Sequence, residues 1–109
     1  MQYKPFASLL VHIPNGQNVG EIHGARLKKA GLRAGFPDLV LFLPTKTHHG
    51  LCIELKTDVG VASALQKDMI ARLNEEGYKA LVCKGFDAAY NVLDSYMSEY
   101  ICSKNATVE

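Results

Sequence analysis

Short apolar segments separated by glycine, proline and polar residues run through the whole chain, and their spacing predicts alternating strands and helices. The later part of residues 6–13 is apolar and β-branched, which predicts a strand that a helical turn can precede. Pro14 ends this segment, and a glycine-containing loop follows it. Residues 21–30 predict a short helix that ends at Gly31, with basic residues in its last turn.

Two apolar segments in the middle of the chain predict a β-hairpin. Residues 38–43 and residues 51–56 both favour a strand, and only the short polar segment 45–50 separates them. A connection of this length joins antiparallel neighbours.

The second half of the chain predicts two helices around a third strand. Ser63 and Gln66 have capping-box spacing at the start of a helix that Gly77 ends. A strand over residues 78–83 follows, and Asp87 can cap a final helix over residues 88–101, before a loose polar tail at residues 103–109. The predicted order is β-α-β-β-α-β-α, which indicates an α/β fold with a mixed sheet flanked by helices.

The length and composition indicate one domain. The chain has 109 residues, of which 48% are hydrophobic and 21% are charged, which is ordinary for a globular protein. We therefore expect a single domain over residues 1–109, with its core between about residues 10 and 101. A core of this size is modest, so a homodimer would be a natural source of additional burial.

The charge is unevenly distributed, although the net charge is only +1. Residues 24–56 have a net charge of +4, whereas residues 57–109 have a net charge of −3. A basic segment attracts phosphate groups, although a solvated helix surface explains such a cluster equally well. Our candidates for phosphate contacts are Arg26, Lys28, Lys29 and Arg33.

Cysteine usage and hydropathy indicate a protein of the cytoplasm. The three cysteines have no CxxC spacing, and Cys52 and Cys83 lie in apolar segments, which is typical of small core residues in a reducing compartment. We identify no signal peptide, and the longest apolar stretch is too short to cross a bilayer. The sequence contains no GxGxxG or Walker motif, so it does not indicate a nucleotide cofactor.

The predicted hairpin brings together the residues that are the best candidates for a catalytic site. Side chains alternate between the faces of a strand, so Glu54 and Lys56 share one face. Antiparallel pairing across the 45–50 loop can place Asp38 beside Glu54 or Lys56 on that same face.

Two neighbouring carboxylates at the end of apolar strands repel each other unless a cation lies between them. Hard divalent cations such as Mg²⁺ take oxygen ligands and can activate water. Lys56 could orient that water or stabilise negative charge. The simpler alternative is an interstrand salt-bridge cluster, which short charged patterns often form.

These segments, in this order, resemble the VRR-NUC (virus-type replication-repair nuclease) domain of the PD-(D/E)xK nuclease superfamily. The resemblance covers about residues 10–101 and rests on residues 12–15, 24–28, 35–39 and 53–56, on Gln66 and on residues 77–78. It implies a restriction-endonuclease-like fold. Small members are typically bacterial or phage proteins that resemble Holliday-junction resolvases, and several act as homodimers on branched DNA. The expected location is therefore the cytoplasm of a bacterium or of a phage-infected cell.

The resemblance implies a role for each matching residue. Asp38, Glu54 and the backbone carbonyl of Leu55 would bind Mg²⁺ or Mn²⁺, and Lys56 would be the catalytic lysine. Gln66 would face the site from its helix, although its capping-box position offers a purely structural alternative. Members of the family often carry an additional glutamate on an N-terminal helix, and this chain has no acid before Glu21. Glu21 either substitutes for it at the metal or is an ordinary acid at a helix N-terminus.

The histidines and tyrosines support weaker alternatives. His48, His49 and Cys52 do not have the spacing of a common structural zinc site, and a solvated loop is the simpler interpretation. Tyr90, Tyr96 and Tyr100 are more typical of core or dimer contacts than of base stacking.

Two functions follow from these observations. The first is a metal-dependent deoxyribonuclease that hydrolyses phosphodiesters in branched DNA. The second is a module of the same fold that binds DNA structures but is catalytically weak, which the absence of the additional glutamate favours.

Overall fold

The structure is a computed structural model that describes residues 8–13 and 35–108. Its centre is a four-stranded sheet with two long helices. The elements are β1 (Leu10–His12), β2 (Leu39–Leu41), β3 (Leu51–Lys56), α1 (Ala64–Glu75), β4 (Lys79–Lys84) and α2 (Phe86–Val108).

The sheet is mixed and keeps the strands in chain order. β1 pairs with β2 and β2 pairs with β3, in both cases antiparallel, whereas β3 and β4 are parallel. The β2–β3 pair confirms the predicted hairpin. Parallel strands need a crossover connection, and α1 provides it between β3 and β4.

Among the described residues, each face of the sheet packs against one helix, because side chains that alternate along a strand give both faces apolar residues to bury. On one face, Leu51, Ile53 and Cys83 form a buried cluster with Tyr96 and Met97 of α2. On the other face, Val40, Cys52 and Ala80 are buried, and Ile70 and Leu73 of α1 pack against them. The described fold therefore has three layers, and this confirms the predicted mixed sheet flanked by helices.

α1 begins and ends where the sequence predicts. Its N-cap is Ser63, and the capping box with Gln66 is formed in both directions. Its C-cap is Glu76, and Gly77 follows with a φ of +94°, a conformation that residues with a side chain rarely adopt.

α2 is longer than predicted at both ends. It begins at Phe86, because Gly85 adopts a φ of +89° and its carbonyl accepts a hydrogen bond from the N–H of Ala89, so Asp87 lies in the first turn instead of capping it. The helix continues to Val108 through the segment that we expected to be a loose tail. Ser103 explains part of this extension, because its hydroxyl accepts a hydrogen bond from the backbone N–H of Lys46 at 3.1 Å and donates one to the carbonyl of Glu99.

The N-terminal strand matches its prediction, with a 3₁₀ turn at residues 8–9 before β1. The predicted helix over residues 21–30 lies outside the described residues. Neither of the described helices combines the length and the apolar character that crossing a membrane requires.

Candidate active site

The hairpin register places the two candidate acids opposite each other. Leu39 pairs with Ile53 at the end of the antiparallel ladder, so continuing the register by one residue sets Asp38 opposite Glu54, and the charge of Asp38 does act on the carboxyl of Glu54. The carboxylate of Asp38 lies across β3, because its Oδ2 accepts a hydrogen bond of 2.9 Å from the backbone N–H of Leu55. Lys56 lies on the same face of β3 as Glu54, so the structure brings Asp38, Glu54 and Lys56 together.

Glu54 is a buried acid with an incomplete set of partners. Only 2% of its surface is exposed. Its Oε2 accepts a hydrogen bond of 3.0 Å from Nε2 of Gln66 and lies 3.3 Å from Nζ of Lys56. Its Oε1 is fully buried and has no hydrogen-bond partner among the described residues. An acceptor left without a partner in the interior is costly, so this oxygen is poised to bind a ligand.

The surroundings of Glu54 disfavour its negative charge. Burial raises the pKa of Glu54, and the negative charge of Asp38 raises it further, while the ammonium group of Lys56 opposes both effects. A cation between the two carboxylates would remove this repulsion and keep Glu54 ionised.

Gln66 fills both of the roles that the sequence left open. Its backbone N–H and its Oε1 form the capping box with Ser63, at 3.2 Å and 2.8 Å respectively. Its Nε2 remains available to donate to Glu54. The cap therefore holds the amide in the orientation that presents its NH₂ group to the acid.

Gly35 joins the turn before Asp38 to the start of α1. Its φ is +85°, and a Cβ atom at this position would lie 2.8 Å from the backbone carbonyl of Leu65. Leu65 precedes Gln66, so this close approach holds the turn before Asp38 against the part of α1 that carries Gln66. The sequence indicated only a shaped turn here, because nothing in it signals a contact between segments 30 residues apart.

The residues present fit a hard divalent cation. The site offers two facing carboxylates and the unpaired Oε1 of Glu54, which are the oxygen ligands that Mg²⁺ and Mn²⁺ prefer. Nowhere in residues 8–13 and 35–108 do three or more His, Cys, Asp or Glu side chains cluster as metal ligands. Any third acidic ligand would therefore come from outside these residues, where Glu21 lies. The basic candidates Arg26, Lys28, Lys29 and Arg33 also lie outside them.

The zinc alternative loses support from the positions of its three residues. Cys52 is 1% exposed, and burial raises the pKa of its thiol to about 11, which disfavours the thiolate that zinc requires. The ring of His49 packs against Tyr78, and Nδ1 of His48 lies 2.9 Å from the hydroxyl of Thr47. Their loop is at the end of the sheet opposite the acids.

The predictions for the remaining cysteines and tyrosines are largely confirmed. Cys52 and Cys83 are buried, whereas Cys102 is exposed. Tyr96 and Tyr100 lie in the core, but Tyr90 is 49% exposed and is not a core residue.

Comparison with known proteins identifies the family. The model of the VRR-NUC domain matches residues 5–87. A solved structure described as a VRR_NUC domain protein has 33% sequence identity and a TM-score of 0.74, over 86% of this chain and 71% of that chain. None of the curated proteins matches. The match to most of the chain, together with the likeness in fold and sequence, shows that this chain belongs to the VRR-NUC domain family, which is a family of nucleases.

Proposed function

We propose that the protein is a metal-dependent endonuclease that hydrolyses DNA phosphodiesters. The observation that carries the proposal is the buried Glu54, which faces Asp38, contacts Lys56 and keeps Oε1 without a partner. A purely structural ion pair would not require a second acid directly opposite the first.

Each residue of the site has a separate task in this reaction. Hydrolysis forms a bond between a water oxygen and phosphorus and breaks one ester bond of the same phosphate. When bound, Mg²⁺ or Mn²⁺ would lower the pKa of water and neutralise charge on the phosphate. Asp38, Glu54 and the carbonyl of Leu55 would hold the ion. Lys56 would stabilise the negative charge that develops on the phosphate oxygens, and Gln66 would keep the carboxylate of Glu54 in place.

The test is a cleavage assay on labelled four-way-junction, flap, single-stranded and duplex DNA, with Mg²⁺ or Mn²⁺ and with EDTA. We expect metal-dependent cuts that Asp38→Asn or Glu54→Gln reduces by ~100-fold or more, because each removes a charge at the reacting centre. Circular dichroism checks that both variants fold. Unchanged cleavage by a folded Glu54→Gln protein would rule out the assignment.

Branched DNA is the proposed substrate, and a homodimer is the proposed active form. Two sites related by a two-fold axis would cut opposite strands of a junction in pairs. Paired cuts on the four-way junction, with little cutting of duplex DNA, would support this part of the proposal. Equal cutting of all four DNA forms would refute the structure preference but not the nuclease.

A DNA-binding module with little activity is the second candidate. It is favoured because no third His, Cys, Asp or Glu side chain joins Asp38 and Glu54 as a metal ligand among the described residues. Intact binding of all four DNA forms without cleavage in either metal would favour this candidate over the first.

A further inference from the structure

A second lysine lies beside the candidate catalytic lysine. β3 and β4 are parallel, and their register pairs Lys56 with Lys84. Paired residues of neighbouring strands point to the same face about 4.8 Å apart, so Lys84 shares the face of Glu54 and Lys56. The ammonium group of Lys56 is within 3.3 Å of Glu54, whereas Lys84 is exposed. Lys84 therefore presents positive charge on the solvent side of the site.

An exposed aromatic ring lies two residues after this lysine in the chain. Phe86 is 81% exposed, and Val59 in the loop after β3 is 89% exposed. Gly85 brings the two segments together, because its N–H donates to the carbonyl of Lys56 at 2.9 Å, and a Cβ atom at this position would lie 3.4 Å from Oδ1 of Asp58. Phe86 comes directly after Gly85, and Val59 comes directly after Asp58. Both exposed side chains therefore belong to the segments that meet beside Lys56.

An exposed cation and an exposed aromatic ring two residues apart form a combination that suits nucleotides with unpaired bases. The cation takes the phosphate, and the ring stacks on the face of a base that is not stacked in a duplex. A second copy of the chain would fit this surface less well. It would have to bury the charges of Lys84 and Asp58 together with the ring, and removing charged groups from water is costly.

We propose that Lys84 and Phe86 bind the nucleotide next to the cleaved phosphate, Lys84 through its phosphate and Phe86 through an unstacked base. This inference rests on the proposed nuclease function and names its substrate class. The protein would favour DNA whose bases are unpaired beside the cut, as in a flap or at the centre of a junction.

The ring is tested by binding to a fluorescent single-stranded oligonucleotide and to a duplex of the same sequence, in EDTA so that nothing is cleaved. Loss of one stacked base should weaken single-strand binding by about tenfold in Phe86→Ala. Phe86→Tyr should bind as the wild type does, and duplex binding should change little. Ile101→Ala is the matched control, because this exposed residue lies near the other end of α2. Equal losses for both DNA forms, or no loss, would overturn the proposal.

The lysine is tested by the salt dependence of the same binding. Removal of one phosphate contact should reduce the slope of log K against log salt by about 0.7 for single-stranded DNA in Lys84→Ala. Lys84→Arg should restore it. Lys79→Ala removes the same charge from the opposite end of β4 and should leave the slope unchanged. The same slope change in both alanine variants would overturn the proposed contact.

Two further measurements separate this inference from its alternatives. Light scattering should give the same mass for Phe86→Ala and for the wild type, and a lower mass in the variant would assign the surface to subunit contact and overturn the inference. Cleavage is assayed separately with metal. Wild-type protein that never cuts would refute the nuclease, while the binding assays in EDTA would still decide the role of Lys84 and Phe86.

Discussion

At the residue scale, the amide of Gln66 acts at both of its ends. The oxygen accepts from the N-cap of α1, and the nitrogen donates to the buried acid. A glutamate at this position would complete the capping box equally well but could not donate while ionised. Capping the helix therefore requires only a side-chain oxygen at this position, whereas the hydrogen bond to Glu54 requires the amide.

Two substitutions distinguish these roles of Gln66. Ser63→Ala removes a cap and should lower the free energy of unfolding by about 1 kcal/mol while cleavage persists. Gln66→Glu keeps the cap but places a second carboxylate against Glu54, so cleavage should fall by at least ~10-fold. Thermal denaturation and the cleavage assay measure the two effects. Full activity in a folded Gln66→Glu protein would show that the amide only caps the helix.

At the scale of elements, two glycines with positive φ support opposite ends of the sheet. A Cβ atom at Gly35 would collide with the backbone of Leu65 beside the site, and one at Gly77 would collide with the ring of His49 at the far end. Alanine at either position adds strain, but only Gly35→Ala must displace backbone next to Gln66.

We expect both alanine variants to lower the free energy of unfolding by about 1–2 kcal/mol, since residues with a side chain disfavour this conformation. Cleavage by the folded fraction should fall only in Gly35→Ala. Urea denaturation gives the stability, and cleavage rates normalised to folded protein give the activity. Equal activity in both variants would show that the contact between Gly35 and Leu65 does not position the site.

Tyr96 holds α2 against the segment that follows β2. Its hydroxyl donates to the carbonyl of Leu43 at 2.6 Å, and burial raises the pKa of Tyr96 to about 12. In the unfolded chain a tyrosine ionises near pH 10, so the folded state keeps this proton to a higher pH. The associated stability is fully present below about pH 10 and is lost as the pH rises towards 12.

Tyr96→Phe should therefore change stability in two ways. At neutral pH it should lower the free energy of unfolding by about 1 kcal/mol, because the carbonyl of Leu43 loses its donor. Between pH 10 and 12 its stability should decline less steeply than that of the wild type. Chemical denaturation across this range measures both effects, with the exposed Tyr90→Phe as the control. Parallel declines for all three proteins would contradict the shifted ionisation.

Sequence patterns predicted the elements where a local signal marks them. Ser63 and Gly77 define α1, and the short loop at residues 45–50 defines the hairpin that brings Asp38 and Glu54 together. The sequence could not predict contacts made at a distance. The support of α2 by Ser103 depends on the loop at Lys46, and the proximity of Lys84 to Lys56 depends on the register of two parallel strands. No pattern within either segment encodes those pairings.

At the scale of the whole molecule, the candidate catalytic residues that the structure describes all lie at one end of the sheet. The two helices cover the faces, and the hairpin loop closes the other end. As far as the described residues go, we expect a long nucleic acid to reach the acids by lying across the strand ends. A rigid, two-sided substrate such as a junction would meet two such ends if two copies associate.

We expect the purified protein to form that dimer. Light scattering at micromolar concentration should give twice the 12.0 kDa mass of the chain. A mass of one chain, with paired cuts still made on a junction, would show that the cuts are sequential and that two sites need not be held together.

The register of the hairpin between β2 and β3 also determines whether a folded molecule brings Asp38 and Glu54 together. Leu39, Val40 and Leu41 face residues of similar character on β3, so a slip of two residues would keep every side chain on its own face. After such a slip the helices would still pack on apolar faces of the sheet, and the spectroscopic signs of folding would be nearly intact. The slip would nevertheless separate Asp38 from Glu54. In the turn that aligns the strands, the N–H of Thr45 donates to the carbonyl of His48. This turn lies at the other end of the sheet, yet it sets the distance between Asp38 and Glu54. Catalytic competence in a refolding experiment would report on this distant turn, and a folded but inactive fraction would be the signature of its misalignment.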